Sequence, residues 1–163
     1  MDESPLADLG AVVERFDHVS VAVNSIRASL PLVNLLGGRF LDGGDQSSDG
    51  FRWVQFRLPG AGKLELIEPL QSADEDNFLV RFLATNGEGI HHLTLKVTDI
   101  EEAITRASAL ELDVVGIDLS NDGWKEAFVH PKSASGVLVQ LAEWTDRPAP
   151  DLQLEDVLDK GTG

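Results

Sequence analysis

The sequence contains an internal repeat, and this repeat limits the folds that the chain can adopt more than any other feature. A stretch of alternating apolar residues around His18 reappears 74 positions later around His92. Apolar residues also flank Glu65, which lies 47 positions after His18, and Gln140, which lies 48 positions after His92. Because the matching residues have nearly the same spacing in the two halves, we predict two copies of one supersecondary unit.

Each half is predicted to contain a strand, a helix and three further strands. The strands are inferred from alternating and β-branched residues, and the helices from the N-cap residues Ser25 and Asp99. The first half comprises the strand Phe16–Val23, the helix Ile26–Leu36 and the strands Arg39–Leu41, Phe51–Leu58 and Lys63–Glu68. The second half comprises the strand Ile90–Val97, the helix Ile100–Leu110 and the strands Val114–Leu119, Trp124–His130 and Val137–Trp144. A polar, glycine-rich loop is predicted over Asp42–Gly50.

This order of elements predicts an α+β fold. One helix covers only one face of a four-stranded sheet, so the other face is expected to curl around a ligand or around the other half. We therefore predict two tandem βαβββ modules that form paired curved sheets around a cavity. The predicted segments are an N-terminal lead-in over 1–14, a first module over 15–70, a connecting segment over 71–89, a second module over 90–144 and a C-terminal tail over 145–163. Short helices are predicted over Leu6–Val13, Asn77–Ala84 and Leu152–Leu158.

The composition argues against several classes of partner. The 163 residues include 28 acidic and 13 basic side chains, which gives a net charge of −15. A chain with so little positive charge is not expected to bind nucleic acid or an anionic membrane surface. No apolar run approaches the roughly 18 residues needed to cross a bilayer, the first residues are acidic, and Cys is absent. We expect a cytoplasmic protein that acts on a small molecule.

Alternation within the two opening strands places each histidine on a small or polar face. Residues two apart on a strand share a face, so His18 lies with Ser20 and His92 lies with Thr94. If the modules are related by a pseudo-two-fold axis, one residue from each of four equivalent places converges on the cavity. These four residues are His18, Glu65, His92 and Gln140.

Two imidazoles, one carboxylate and one amide oxygen form a mixed nitrogen and oxygen donor set. Such a set suits Co²⁺, Mn²⁺, Zn²⁺, Ni²⁺ or Fe²⁺ and leaves coordination positions for a substrate. A single strand histidine is more often a hydrogen-bonded core or surface residue. Two histidines at equivalent points of a repeat, each followed by an oxygen donor, favour a metal site. We therefore predict that His18, Glu65, His92 and Gln140 are metal ligands and that the cavity binds a divalent metal.

Four segments of the chain resemble one known family, in the same order along the sequence. They are Asp17-His18-Val19, Leu64–Leu70, Gly89–His92 and Val129–Leu141. Together they resemble the vicinal oxygen chelate superfamily, which includes glyoxalase I, extradiol dioxygenases, bleomycin-resistance proteins and methylmalonyl-CoA epimerase. The likeness is greatest to the epimerases and covers about residues 15–144.

The resemblance implies a metal-dependent isomerase that enolises a 2-acyl-CoA thioester by proton transfer at the α-carbon. A divalent metal would act as a Lewis acid on the substrate oxygens. Glu65 is the first candidate for the proton-transfer residue and Asp49 is a weaker second. The resemblance also implies a homodimer.

The sequence departs from the epimerase pattern at two positions that matter for proton transfer. Gln140 stands where the family usually has Glu, and Ser48 aligns with the family's other acid/base Glu. An amide does not abstract a proton at neutral pH. Glu65, the pseudo-symmetric counterpart of Gln140, could supply the carboxylate from the other side.

Three other functions stay open. A glyoxalase-type lyase or isomerase needs the same metal and only one good base. A dioxygenase is compatible with the two-His, one-carboxylate set of His18, His92 and Glu65, although the chain lacks the Tyr that such sites often use. The absence of the two acid/base Glu residues of the epimerases is compatible with a non-catalytic module that binds a small ligand.

Aromatic and basic residues on the strands are weaker candidates. The expected pocket wall includes Trp53, Phe56, Trp124 and Phe128, although large strand aromatics are more often core residues. Arg52, Arg57 and Lys125 could meet an anionic group, but we expect them to be solvated.

Overall fold

The computed structural model describes residues 11–60 and 62–161. Within these residues it contains eight strands and four α-helices. The strands are β1 (Val13–Ala22), β2 (Arg39–Gln46), β3 (Phe51–Arg57), β4 (Lys63–Pro69), β5 (Gly89–Val97), β6 (Val114–Asn121), β7 (Trp124–Val129) and β8 (Val139–Glu143). The helices are α1 (Leu30–Leu35), α2 (Phe78–Asn86), α3 (Ile100–Ala109) and α4 (Leu154–Leu158). The predicted short helix over Leu6–Val13 lies mostly outside the described residues, and Val13 begins β1.

The strand order is β2-β3-β4-β1-β5-β8-β7-β6. The four strands of the first half are therefore neighbours, as are the four strands of the second half, and the two opening strands β1 and β5 are adjacent. The predicted α+β fold of two βαβββ modules is confirmed. The two four-stranded groups belong to one eight-stranded sheet.

The register of the strand pairs decides which side chains meet. β3 and β4 are antiparallel, with Gln55 opposite Glu65. β8 is paired in parallel with β5, where Thr94 is opposite Gln140, and antiparallel with β7, where Phe128 is opposite Gln140. Directly opposed residues lie on the same face of a sheet, so this register assembles the side chains of the candidate site.

The predicted loop Asp42–Gly50 is wrong in its first half, because β2 continues to Gln46. β2 and β3 pair through Gln46 and Phe51, with an irregularity between Phe40 and Asp42. A Cβ at Gly43 would lie only 2.9 Å from the carbonyl oxygen of Trp53. The glycine therefore permits close approach of the neighbouring strand rather than marking a loop.

The helix signals were largely correct. The Asp99 side chain accepts a hydrogen bond from Glu102 N at 3.0 Å and caps α3, as predicted. The first predicted helix is shorter, with a 3-10 turn over Arg27–Ser29 followed by α1. Pro31 in the first turn of α1 explains part of this, because proline lacks the amide hydrogen that a continuous helix would use.

The chain forms two compact units, each with its own core. One unit consists of residues 11–18 with His92–Arg147. Its core packs α3 against β5, β7 and β8 through Val97, Ile100, Ala103 and Leu141, all of which are buried. Burial of a side chain of the size of Val97, Ile100 or Leu141 typically stabilises a fold by about 1.5–3 kcal/mol.

The other unit consists of Val19–His91 with residues 148–161. Its main core includes Phe56, Leu64 and Leu66 from β3 and β4, together with Val157 and Leu158 from α4. The predicted tail helix therefore exists, and it packs against this unit. Among the described residues, no helix is long and apolar enough to cross a membrane.

Candidate metal centre

Asp17 and His18 are consecutive residues of β1, and both are about 2% exposed. Asp17 Oδ2 lies 2.8 Å from His18 Nδ1. A carboxylate only accepts hydrogen bonds, so in neutral His18 it is Nδ1 that carries the proton and Nε2 that presents the lone pair. Carboxylates commonly orient metal-binding histidines in this way. This role of Asp17 was not predicted from the sequence, although the residue directly precedes a predicted ligand.

Asp17 is held by a short series of charged contacts. Arg15 Nε donates to Asp17 Oδ1 at 2.9 Å, and the Arg15 guanidinium also pairs with Asp146 at 2.9 Å. The hydrogen bond from Arg15, together with that from Lys96, holds the pKa of the Asp146 carboxyl well below its usual range. Lys96 Nζ also lies 2.9 Å from Glu14.

His92 lies beside His18. The ring centroids of the two imidazoles are 6.1 Å apart, with an interplanar angle of 70°. The ring of Phe128, on β7, contacts the other side of His92 at a centroid distance of 6.3 Å. The adjacent His91 instead contacts Phe78 and Phe82, and burial lowers the pKa of His91. As expected from strand alternation, the two consecutive histidines have different surroundings.

Glu65 is a carboxylate on β4 that is only 8% exposed. Ser20 Oγ donates to Glu65 Oε1 at 2.6 Å, and Gln55 Nε2 donates to Glu65 Oε2 at 2.8 Å. Both carboxylate oxygens therefore receive a hydrogen bond, which offsets the cost of burying a charge. Ser20 follows His18 by two residues and lies on the same face of β1.

His18, Glu65 and His92 form a group that could hold a metal ion. Each residue is buried and offers one ligand atom, and these atoms lie within 4.8 Å of one another. Two imidazole nitrogens and one carboxylate oxygen fit a first-row divalent ion and leave further coordination positions open to substrate.

The fourth predicted ligand, Gln140, takes part in a different hydrogen-bond network. Its Oε1 accepts from Thr94 Oγ1 at 2.7 Å, and its Nε2 donates to Glu126 Oε2 at 2.5 Å. Glu126 Oε2 also accepts from Trp124 Nε1 at 2.9 Å. Glu126 was not predicted from the sequence to be a site residue. The available signal was its position on β7 between Trp124 and Phe128, which share its strand face and were both predicted to line the pocket.

The remaining predicted residues have mixed outcomes. Asp49 and Ser48 are exposed in the turn between β2 and β3. Phe56 is buried in the main core, and Trp53 packs against a smaller core cluster. Arg52 is not solvated as expected: it is 7% exposed and pairs with Asp45 at 2.6 Å. The cost of burying its guanidinium is offset by this pairing and by hydrogen bonds to the backbone carbonyl oxygens of Leu158 and Lys160.

Comparisons with known proteins agree with this fold. Residues 17–128 match the sequence profile of the Glyoxalase/Bleomycin resistance protein/Dioxygenase superfamily. The chain is 34% identical over 134 residues to the uncharacterized protein YqjC of Bacillus subtilis (strain 168), covering 80% of this chain and 93% of that protein. It is 31% identical to the ethylmalonyl-CoA/methylmalonyl-CoA epimerase of Cereibacter sphaeroides, covering 81% of this chain and 99% of that enzyme.

A solved structure is also similar to this chain in fold. A variant of Streptomyces coelicolor methylmalonyl-CoA epimerase, in complex with 2-nitronate-propionyl-CoA, superposes with a TM-score of 0.69 at 25% identity. The match covers 82% of this chain and 99% of that one. With its repeated βαβββ modules and its paired histidines, this chain belongs to the glyoxalase/bleomycin resistance protein/dioxygenase superfamily.

Proposed function

We propose that the protein is a divalent-metal-dependent isomerase that enolises a 2-acyl-CoA thioester by proton transfer at the α-carbon, as in methylmalonyl-CoA epimerisation. The observation that carries the proposal is the buried group of His18, Glu65 and His92. The relatives named as epimerases of ethylmalonyl-CoA and methylmalonyl-CoA support the substrate class.

The proposed ligands are His18, Glu65, His92 and Gln140, and their donor atoms suit Co²⁺, Mn²⁺, Zn²⁺, Ni²⁺ or Fe²⁺. A metal bound there would supply Lewis acidity that stabilises an enolate oxygen. The protein's own contribution begins with orientation. Asp17 fixes the ring of His18 at 2.8 Å, and the ring of Phe128 packs against His92.

Proton transfer is assigned to Glu65. Its carboxylate is held by Ser20 and Gln55 and is largely shielded from water. These two hydrogen bonds hold the carboxylate, which is the group that would accept the α-proton, in one orientation. Gln140 cannot take the proton at neutral pH because its side chain is an amide. The proposed chemistry therefore relies on one carboxylate base, Glu65, instead of on a symmetric pair of bases.

This asymmetry favours a glyoxalase-type lyase or isomerase as the second candidate function. Such a reaction uses the same metal-stabilised enolate but can proceed with one base that moves a proton between neighbouring atoms. The amide at position 140 is the observation that favours it.

The test is deuterium exchange at the substrate α-carbon. Co²⁺-loaded protein is incubated with 2-methylmalonyl-CoA in D₂O, and incorporation is followed by mass spectrometry. We expect metal-dependent exchange that is lost in Glu65→Gln and kept in Glu101→Gln, a matched change on the exposed surface of α3. Exchange with inversion supports the epimerase, whereas exchange without inversion indicates a one-base relative. If the metal binds but no exchange occurs, the acyl-CoA proposal is wrong.

A further inference from the structure

Each module contains a carboxylate and an amide joined across two neighbouring strands, but the order is reversed between modules. In the first module, Gln55 on β3 donates to Glu65 on β4 at 2.8 Å. In the second module, Gln140 on β8 donates to Glu126 on β7 at 2.5 Å. The carboxylate thus belongs to the closing strand in the first module and to the preceding strand in the second.

A hydroxyl completes both arrangements in the same way. Ser20 donates to Oε1 of Glu65 at 2.6 Å, and Thr94 donates to Oε1 of Gln140 at 2.7 Å. Each hydroxyl follows a histidine by two residues on its strand. The closing-strand residue therefore has a similar environment in both modules, although one is charged and the other is neutral.

The partners of Gln140 determine which way its amide points. An ionised carboxylate has no hydrogen to donate, so the Gln140 atom that faces Glu126 is the NH₂ group. The amide oxygen consequently lies on the Thr94 side, where it accepts the hydroxyl hydrogen at 2.7 Å and keeps a second lone pair. Glu126 is itself fixed by Trp124 Nε1 at 2.9 Å.

We propose that Glu126 is a positioning residue that fixes the amide of Gln140, so that Gln140 Oε1 serves as the neutral oxygen ligand of the second module. This inference rests on the proposed metal site. The pairing of Gln140 with Glu126 also explains why position 140 carries Gln where the epimerases usually have Glu. A Glu at position 140 would lie within hydrogen-bond distance of the Glu126 carboxylate. Two ionised carboxylates at that separation repel each other strongly.

Metal binding tests the orientation directly. Co²⁺ is titrated into the purified apo protein, with affinity from calorimetry and coordination from the visible absorption spectrum. In Glu126→Ala, the NH₂ group of Gln140 loses its carboxylate acceptor, and the Gln140 amide loses its fixed orientation. We expect the Co²⁺ affinity to fall about tenfold, with an altered spectrum. Glu101→Ala, the matched change on the exposed surface of α3, should leave both unchanged.

A reciprocal exchange separates positioning from a merely structural role. Gln140→Glu alone should lower the melting temperature of the apo protein, because it creates the carboxylate pair. The double variant Gln140→Glu/Glu126→Gln recreates the arrangement of Glu65 and Gln55 and should recover both the melting temperature and the Co²⁺ affinity. Wild-type Co²⁺ affinity and spectrum in Glu126→Ala, or no recovery in the double variant, would overturn the proposal.

His18→Ala distinguishes this failure from failure of the proposed function. If His18→Ala binds Co²⁺ as the wild type does, the metal site itself is wrong. If His18→Ala loses Co²⁺ while Glu126→Ala binds it as the wild type does, the metal site stands and only the role of Glu126 is wrong.

Discussion

Asp17 Oδ2 lies 2.8 Å from Nδ1 of His18, the next residue in the chain, and both side chains are buried. Neighbouring strand residues normally point to opposite faces, so this contact is not implied by the strand itself. Arg15 completes the arrangement by donating to the other carboxylate oxygen of Asp17. A histidine held in this way presents one defined nitrogen to a metal.

Asp17→Asn is expected to weaken metal binding without removing a ligand. The amide carries no charge and can donate as well as accept, so it no longer dictates the tautomer of His18. Loss of an outer partner of this kind typically costs about 10–100-fold in metal affinity. Calorimetric titration with Co²⁺ measures the effect, and Asp151→Asn in the exposed tail is the matched control. An unchanged affinity would show that Asp17 does not orient His18.

Ser20→Ala is expected to destabilise the folded protein. It removes the 2.6 Å hydrogen bond to Glu65 Oε1 and leaves part of a buried carboxylate without its donor. Hydrogen bonds to charged groups contribute about 1.5–3 kcal/mol, so the free energy of unfolding should fall by an amount in that range. Urea denaturation of the apo protein measures it. Ser108→Ala, on the exposed side of α3, should change the free energy of unfolding little; equal effects of the two changes would contradict the prediction.

The stability of the protein should depend on Asp146 at acid pH. The hydrogen bond from Arg15, then that from Lys96, lowers the pKa of Asp146 in the folded state. A carboxyl with a lowered folded-state pKa contributes stability that is present above its unfolded pKa of about 3.9 and is lost as the pH falls towards the folded value. The stability advantage of the wild type over Asp146→Asn should therefore be present at pH 6 and shrink as the pH is lowered below about 4. Because the Asp146 side chain is 56% exposed, solvent screening keeps the effect small.

Urea denaturation across this pH range provides the measurement. Asp151→Asn serves again as the control, and its difference from the wild type should not vary with pH. A pH-independent difference for Asp146→Asn would mean that the contact with Arg15 does not depend on the charge of Asp146.

Leu158→Ala should destabilise the protein by detaching part of the tail. Leu158 is 6% exposed and belongs to the main core, and its carbonyl accepts from Arg52 Nη1 at 3.1 Å. Truncation of a buried leucine to alanine typically costs about 2–5 kcal/mol. Urea denaturation should show a loss near the lower end of that range, since the helix lies at the edge of the core. Leu35→Ala, at a position that is 81% exposed, should have almost no effect.

Several expectations from the sequence remain predictions. They are the homodimer, the cytoplasmic location, the absence of nucleic-acid and membrane partners, and the module boundaries at 15–70 and 90–144.

The repeated order of strands and helices can be predicted from the amino-acid sequence alone, and so can the polar face that carries each histidine. The reason is that alternation along a strand and an N-cap such as Asp99 are local properties, readable within a few residues. The proximity of His18 to His92 could also be anticipated on the assumption of a pseudo-two-fold axis, which brings equivalent positions of the two modules together.

The hydrogen-bond partners of these residues depend on how the strands and the tail pack in three dimensions. Glu126 contacts Gln140 because β7 and β8 pair in one particular register, and no local pattern specifies that register. Arg52 was expected at the surface, but the tail returns over it and supplies the carbonyl oxygens of Leu158 and Lys160. β2 extends through its glycines because a neighbouring strand packs closely against them. In each case the deciding interaction joins residues far apart in sequence, so its energy becomes available only once the chain has folded.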